Sequence, residues 1–200
     1  MAWGKSQIYV GRCVSRSLSL GRTEVPGDLR MELREYRVAL VEPAKLSAAD
    51  QAICIGIIGS GDAVDVESAR RELPRATAVA VVHSGNQIVG VGAIKRQRIQ
   101  YATTISKKSD FAFPAGTLEL GYVAVVGPTH WGQGLSHKLV AALLAGRGEA
   151  LFATTSSEPM KKALLKAGFF CRGQEWCGSH STLSLWLRDS PVKTSEVVKQ

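Results

Sequence analysis

The chain has 200 residues, 45% hydrophobic and 21% charged, with a formal net charge of +8 and a sequence pI near 9.5. One core of ordinary composition fits that length, which argues against a disordered chain. No apolar run approaches the roughly 18 residues of a membrane-spanning helix, so no membrane partner is expected.

The positive excess favours acidic partners, whether phosphates, nucleic acid or an acidic protein surface, without choosing among them. The cysteines Cys13, Cys54, Cys171 and Cys177 form no C-x-x-C pair and match neither a zinc site nor a dense disulfide framework. They read as reduced thiols of a cytoplasmic protein that holds no metal, with a Cys171–Cys177 disulfide as the alternative.

In residues 1–30, Lys5, Arg12, Arg16, Arg22 and Arg30 alternate with serines, and no acid precedes Glu24. This is read as a basic arm or an extra strand around Ile8–Val10. Met31 as the natural start and an organelle transit peptide remain alternatives. The domain proper is expected over 31–189, followed by a polar tail over 190–200. A first strand runs from Glu32 to Val41 and Pro43 closes it. Ser47 is the N-cap of a helix carrying Ile53, Ile57 and Ile58, which Gly59 and Gly61 stop. A short helix follows from Val66 to Leu73. Thr77–His83 and Gln87–Lys95 form a hairpin through Ser84-Gly85-Asn86.

Residues 96–116 read as a polar, irregular connection, and in that neighbourhood Lys95, Arg96, Arg98, Lys107 and Lys108 gather near one acid. A connection this long tends to be functional or mobile. A strand is expected over about Leu118–Val126, and a helix bears Leu135, Leu139, Ala142 and Leu143 until Gly146 and Gly148. Another strand covers Glu149–Thr155. Ser157 caps a helix over Glu158–Ala167 that Gly168 stops. Two last strands, Phe169–Trp176 and Ser181–Arg188, flank a Cys177–His180 turn.

The informative stretch joins the strand ending at Val126 to the helix beginning near Leu135. Backbone N–H groups from Trp131 to Ser136 lie between them, and Gly132 and Gly134 remove side chains that would block close approach. Unpaired N–H groups and the positive end of a helix dipole suit a phosphate. The pattern G-x-x-x-x-G-K-[ST] is absent, and the dinucleotide fingerprint fails because His137 stands where its third glycine belongs. A turn that only reverses the chain is the other reading.

The order β-α-α-β-β-β-α-β-α-β-β, with that turn after the fourth strand, resembles the GNAT superfamily of N-acetyltransferases over about Glu32–Asp189. The motif [Q/R]-x-x-G-x-[G/A] is met by Trp131-Gly132-Gln133-Gly134-Leu135-Ser136. The strand Glu119–Val125 and the run Ser157–Phe169 also resemble that family. The resemblance implies an α/β (α+β) fold, a mixed, mostly antiparallel sheet of six to seven strands flanked by about four helices, with splayed central strands.

It further implies acetyl-coenzyme A as co-substrate. The coenzyme would contact Val123, Ala124 and Val125 along its pantetheine arm. Around its pyrophosphate it would meet Trp131, Gly132, Gln133, Gly134, Leu135, Ser136, His137 and Lys138. The reaction is direct acetyl transfer to a primary amine of a small molecule, peptide or protein. Glu119 falls where several members carry the general base; an ion-paired strand residue is its alternative role. Two departures stand out. Trp131 replaces the Gln or Arg that opens the motif, and Leu164 replaces the frequent Tyr that protonates the leaving thiolate. Tyr122, and Ser156 or Ser157 through a water, are the substitute candidates, and unassisted departure or a coenzyme-binding module with little turnover is the alternative. His130 and His137 read as surface neighbours of the turn, and Trp176 and Trp186 as packing for the last strands. Nucleic acid or aminoacyl-tRNA as partner, and a homodimer, stay open.

Overall fold

Two runs that are apolar at nearly every position form the centre of the sheet, because strands covered on both faces have no polar side to alternate. They are β2 (Ala78–Ser84) and β3 (Gln87–Lys95), antiparallel neighbours that meet around Gly85 at φ +57°. The structure, a computed structural model, describes residues 35–61, 64–179 and 181–190. The expected basic arm, Met31, Cys13, His180 and the tail beyond Ser190 lie outside the described residues.

Around this hairpin the chain forms β1 (Tyr36–Val41), α1 (Ala48–Gly59), α2 (Val66–Glu72), α3 (Ile99–Ser109), β4 (Leu118–Val125) and α4 (Leu135–Leu144). It ends with β5 (Leu151–Thr155), α5 (Glu158–Lys166), β6 (Phe170–Cys177) and β7 (Thr182–Arg188). The seven strands make one sheet in the order β1-β2-β3-β4-β5-β7-β6. Every neighbouring pair is antiparallel except β4 and β5. None of the described helices is long and apolar enough to cross a membrane.

The helix starts follow from their caps. Ser47 accepts the Asp50 N–H at 3.0 Å, Asp65 accepts the N–H groups of Glu67 and Ser68, and Ser157 accepts the Met160 N–H at 3.4 Å. Each such cap contributes about 1 kcal/mol. In the first helix Ile57 and Ile58 are buried as expected, but Ile53 is exposed and Cys54 takes the inward position. Cys171 and Cys177 are both free, so the alternative disulfide does not form.

The expectation of an irregular 96–116 connection is wrong: its middle is α3. No side chain caps its start, and the hydroxyls of Thr103, Thr104 and Ser109 bond back to carbonyls four residues earlier. Ala102, Ile105 and Ser109 face inward at helical spacing, and Asp110 ends the helix in the left-handed region at φ 52°. Among the described residues this makes five α-helices where about four were expected.

Alternation of side chains divides the core between the two faces of the sheet. Leu135, Leu139, Val140 and Leu143 of α4 and Leu164 of α5 pack on Ala80, Val82, Leu120, Leu151, Ala153 and Trp186. On the other face Cys54, Ile57 and Ile58 of α1 and Ala69 of α2 meet Val79, Val81, Val91, Ala93 and Tyr122. Alongside them, Ile105 of α3 joins Phe152, Leu185 and Leu187, with Tyr101, Phe113 and Trp176 at the margin. Gly92 lets α4 settle close, since a Cβ there would lie 3.1 Å from Leu143 Cδ1.

Gly173 anchors α3 in a similar way. It sits in β6 where the pairing with β7 slips, at φ +66°, and a Cβ would overlap the Ser109 carbonyl oxygen. Both faults involve backbone, so Gly173→Ala is expected to cost more than about 2 kcal/mol in urea unfolding. A loss below about 0.5 kcal/mol, the range of ordinary surface changes, would show that this contact does not hold α3.

Candidate active site

The parallel pairing of β4 with β5 is short. Leu118 faces Leu151 and Glu119 faces Phe152, and there it stops. On its other side β4 remains paired with β3, but Ala93 faces Gly121 while Val91 faces Ala124. Tyr122 and Val123 thus stand opposite Gly92 alone, a β-bulge, with Tyr122 held in the left-handed region at φ 57°. A bulge bends its strand and increases the local twist, which turns β4 away from β5. The gap opens into a cleft of about 810 Å³ bordered by β4, β5, α1 and α3.

At the closed end of the gap lies a buried ion pair. Glu119 is 7% exposed and Lys95 6%, and Lys95 Nζ is 2.8 Å from Glu119 Oε1 and 3.9 Å from the centre of the Tyr122 ring. Gly121 leaves the space: a Cβ there would be 3.1 Å from Lys95 Cε and 3.2 Å from Glu119 Oε1. Glu119 Oε2 is buried and has no hydrogen-bond partner among the described residues. Such a pair offsets its desolvation only when its remaining hydrogen-bond positions are filled, so the free oxygen is a place for an incoming N–H donor.

From the α3 side, the Tyr101 hydroxyl lies 3.0 Å from Thr154 Oγ1 on the free edge of β5. Burial, and next the charge of Glu119, raise the Tyr101 pKa above the usual phenol value, against smaller lowering effects of the Thr154 bond and Arg98. The Arg98 guanidinium stands 5.4 Å from the ring centre. Sequence reasoning missed Lys95 and Tyr101 as site residues, because Lys95 was counted among five cations near the end of a strand and Tyr101 was placed in an irregular connection. The signal that could have found Tyr101 is the Tyr101–Ile105 spacing, followed by Ser109.

At the other end of β4 is the glycine turn. Gly132 and Gly134 have φ +76° and +67°, and α4 starts at Gly134 without a side-chain cap. The expected set of N–H groups shifts by one residue. The Trp131 N–H bonds the Pro128 carbonyl within a 3-10 turn, whereas the N–H groups of residues 132–137 have no partner among the described residues. Gln133, His137 and Lys138 are exposed around them, and the Leu135 side chain points into the core. The Trp131 indole N–H donates to the Val125 carbonyl at 3.2 Å; the ring, 63% exposed, covers the end of β4.

Other expected positions divide. Val123, Ala124 and Val125 line the gap with their strand edge, and Ser157 lies at its rim with its hydroxyl oxygen engaged as the α5 cap. Leu164 is fully buried in the core and brings no proton donor to the cleft. His137 is exposed as expected, but His130 is not a free surface group. Its Nδ1 lies 3.0 Å from the Tyr36 hydroxyl, tying the turn to β1. Trp186 packs in the core with its indole N–H on Ser184 Oγ. Of the five cations once grouped as a basic patch, Lys95 is consumed by the ion pair, and Arg96, Arg98, Lys107 and Lys108 remain exposed.

No family model and no curated protein matches this chain. Solved structures do. An acetyltransferase of the GNAT family from Streptococcus agalactiae aligns with a TM-score of 0.56 at 11% identity, over 78% of this chain and 96% of its own. A histone acetyltransferase HPA2 and related acetyltransferase from Corynebacterium glutamicum aligns at 0.56 and 16%, over 79% and 99%. Arabidopsis thaliana NAA60, solved in complex with acetyl-CoA, aligns at 0.54 and 11%, over 76% and 99%. The chain has the fold of the GNAT acetyltransferases.

The ion pair is open to a thermodynamic test. Lys95→Met leaves a buried carboxylate without its partner and is expected to cost about 3–5 kcal/mol, whereas K95M combined with Glu119→Leu recovers most of the loss. Denaturant unfolding of both variants reads this out, and simple addition of two losses in the double variant would contradict direct pairing.

Proposed function

We propose that a chain with the GNAT fold and this cleft is an acetyl-coenzyme A-dependent N-acetyltransferase, acting by direct transfer to a primary amine. The observation that carries the reading is the parting of β4 from β5 along a strand that leads into the N–H groups of residues 132–137, unpartnered among the described residues. Those two features supply an anion site and, one strand length away, an open backbone edge leading to a carboxylate. In this reading the N–H groups of Gly132 to His137 bind the pyrophosphate, helped by the α4 dipole and by Lys138. The edge of Val123, Ala124 and Val125 bonds the pantetheine amides as an added strand would.

Bound acetyl-coenzyme A supplies an acetyl group activated as a thioester. The chain's own residues do the rest. Glu119 Oε2, buried and without a donor, receives an N–H of the acceptor ammonium and takes its proton, so that the neutral amine can attack. Lys95 keeps Glu119 oriented through Oε1. Backbone N–H groups of β4 near the Tyr122–Val123 bulge polarise the thioester carbonyl as its oxygen gains charge. Tyr122 and Ser157, the substitutes considered for the missing tyrosine at position 164, flank this path.

A second reading is favoured by two observations. Because Lys95 already neutralises Glu119 and Leu164 is apolar, the same cleft suits a coenzyme A-binding module with little turnover. Thiol release from acetyl-coenzyme A over a panel of amino acids, polyamines, peptides and aminoacyl-tRNAs, alongside calorimetry, separates the two. Release with at least one acceptor is expected. Binding without release on any of them supports the module.

Two variants sharpen the reading. Glu119→Gln is expected to lower kcat by about 100-fold or more with unchanged coenzyme affinity; equal turnover would remove Glu119 from the mechanism. Gly134→Val, which places a branched side chain at φ +67°, is expected to weaken acetyl-coenzyme A binding at least about tenfold, or 1.4 kcal/mol. Wild-type affinity in that variant would locate the pyrophosphate elsewhere.

A further inference from the structure

We infer that Tyr101, carried by helix α3, is the proton donor to the departing thiolate, a role that rests on the acetyltransferase reading and that no residue of α5 fills. The position expected to hold this acid is Leu164, fully buried among core residues. Of the earlier substitutes, Ser156 and Ser157 carry alkyl hydroxyls, far weaker acids than a phenol, and Ser157 also caps α5, while the Tyr122 ring packs against Lys95 Nζ. Tyr101 differs from both serines in carrying a phenol, and its hydroxyl is placed at the free edge of β5 beside Thr154.

Its location follows from the helix that breaks the 96–116 stretch. Ile105 roots α3 on Phe152, Leu185 and Leu187, and Tyr101, one turn earlier, reaches over Phe152 with ring centres 6.4 Å apart. Its hydroxyl then meets Thr154 Oγ1 at 3.0 Å. Phe152 is the last β5 residue paired with β4, so Thr154 lies two residues into the open gap. The hydroxyl is therefore held at the free edge of β5, on the wall opposite the bulge at Tyr122. Lys95 and Glu119 close the same cleft, and Arg98 lines it from the α3 side.

The electrostatics suit a donor. Four titratable groups influence or border Tyr101. Glu119 and Tyr122 from β4 favour the neutral phenol and Arg98 from α3 favours the phenolate, while Lys95 from β3 is tied to Glu119. With burial added, the phenol stays protonated at neutral pH. The influence of Glu119 changes during turnover. Once Glu119 has taken the amine proton its charge is gone, and the effect that held the Tyr101 proton in place is removed while Arg98 remains. Tyr101 thus becomes the stronger acid at the stage when the thiolate forms.

The step balances. The acceptor ammonium gives one proton to Glu119, the resulting neutral amine nitrogen bonds the acetyl carbon and sheds its surplus proton to solvent, and the C–S bond breaks with its electron pair on sulfur. The phenol proton of Tyr101 moves to that sulfur, giving the free thiol. The proton on Glu119 then returns to the Tyr101 phenolate through solvent, which restores both groups and needs no further reactant.

The test uses the full chain with acetyl-coenzyme A and whichever amine of the panel wild type uses best. Tyr101→Phe keeps the ring on Phe152 and is expected to lower kcat about 100-fold or more with unchanged coenzyme affinity. Replacing Tyr101 by 3-fluorotyrosine, whose phenol is more acidic, is expected to move the alkaline limb of the kcat profile to lower pH, a shift that a packing role would not produce. Wild-type kcat in Tyr101→Phe, or an unmoved alkaline limb with fluorotyrosine, overturns the inference and leaves the function standing. A wild-type chain that binds acetyl-coenzyme A and transfers to no amine overturns the transferase reading, and this inference with it.

Discussion

Everything distinctive about the cleft depends on the brevity of one strand pairing. β4 and β5 are the single parallel pair in a sheet whose other neighbours are antiparallel, and they meet at two positions, 118 with 151 and 119 with 152. A longer ladder would close the gap, satisfy both edges and leave no room beside Glu119. The bulge at Tyr122 prevents this. One extra residue on β4 opposite Gly92 forces a left-handed backbone at a bulky side chain, which costs about 1–2 kcal/mol and is held in place by pairing with β3 on both sides of it. The strain is local, and its consequence is an open backbone edge in the middle of the sheet.

The ends of β4 then acquire different chemistry. Toward α4 the chain leaves through glycines with positive φ, so backbone donors are presented without side chains between them. Toward β3 and α3 the side chains are Lys95, Glu119 and Tyr101, buried charges and a phenol with a raised pKa. In the proposed function, the unpartnered N–H donors and the titratable cluster, joined by an open edge, form the path taken by a long, phosphate-bearing thioester. Gly121 matters to this arrangement as much as the charged residues do, since any side chain there would press on both members of the ion pair.

The glycine turn and the element order were legible in the sequence because they rest on local rules. Gly132 and Gly134 announce a turn between strand and helix, Ser47 and Ser157 announce helix starts, and the apolar runs around Gly85 announce a hairpin; each of these is borne out by the fold. Helix α3 was not legible by the same rules. Its start lacks a capping side chain, and Thr103, Thr104, Lys107 and Lys108 give it the composition of a loop. Its stability comes from packing Ile105 and Tyr101 on β5 and β7, a tertiary effect invisible along the chain. The Lys95–Glu119 contact was hidden for a related reason. The residues are far apart in sequence, and only the register of β3 against β4, with Lys95 opposite Glu119, makes them neighbours. A charge that looked like part of a solvated basic patch is the partner of the one buried carboxylate near the gap.

The central claim is that acetyl-coenzyme A lies along the open edge of β4 with its pyrophosphate on the start of α4. Amide hydrogen exchange of the full chain, with and without saturating acetyl-coenzyme A, tests it most directly. Slowed exchange is expected in two separate segments, the N–H groups of residues 132–137 and the edge amides of β4 between Leu120 and Val125. Saturated binding that leaves both segments exchanging at their unliganded rates would contradict it.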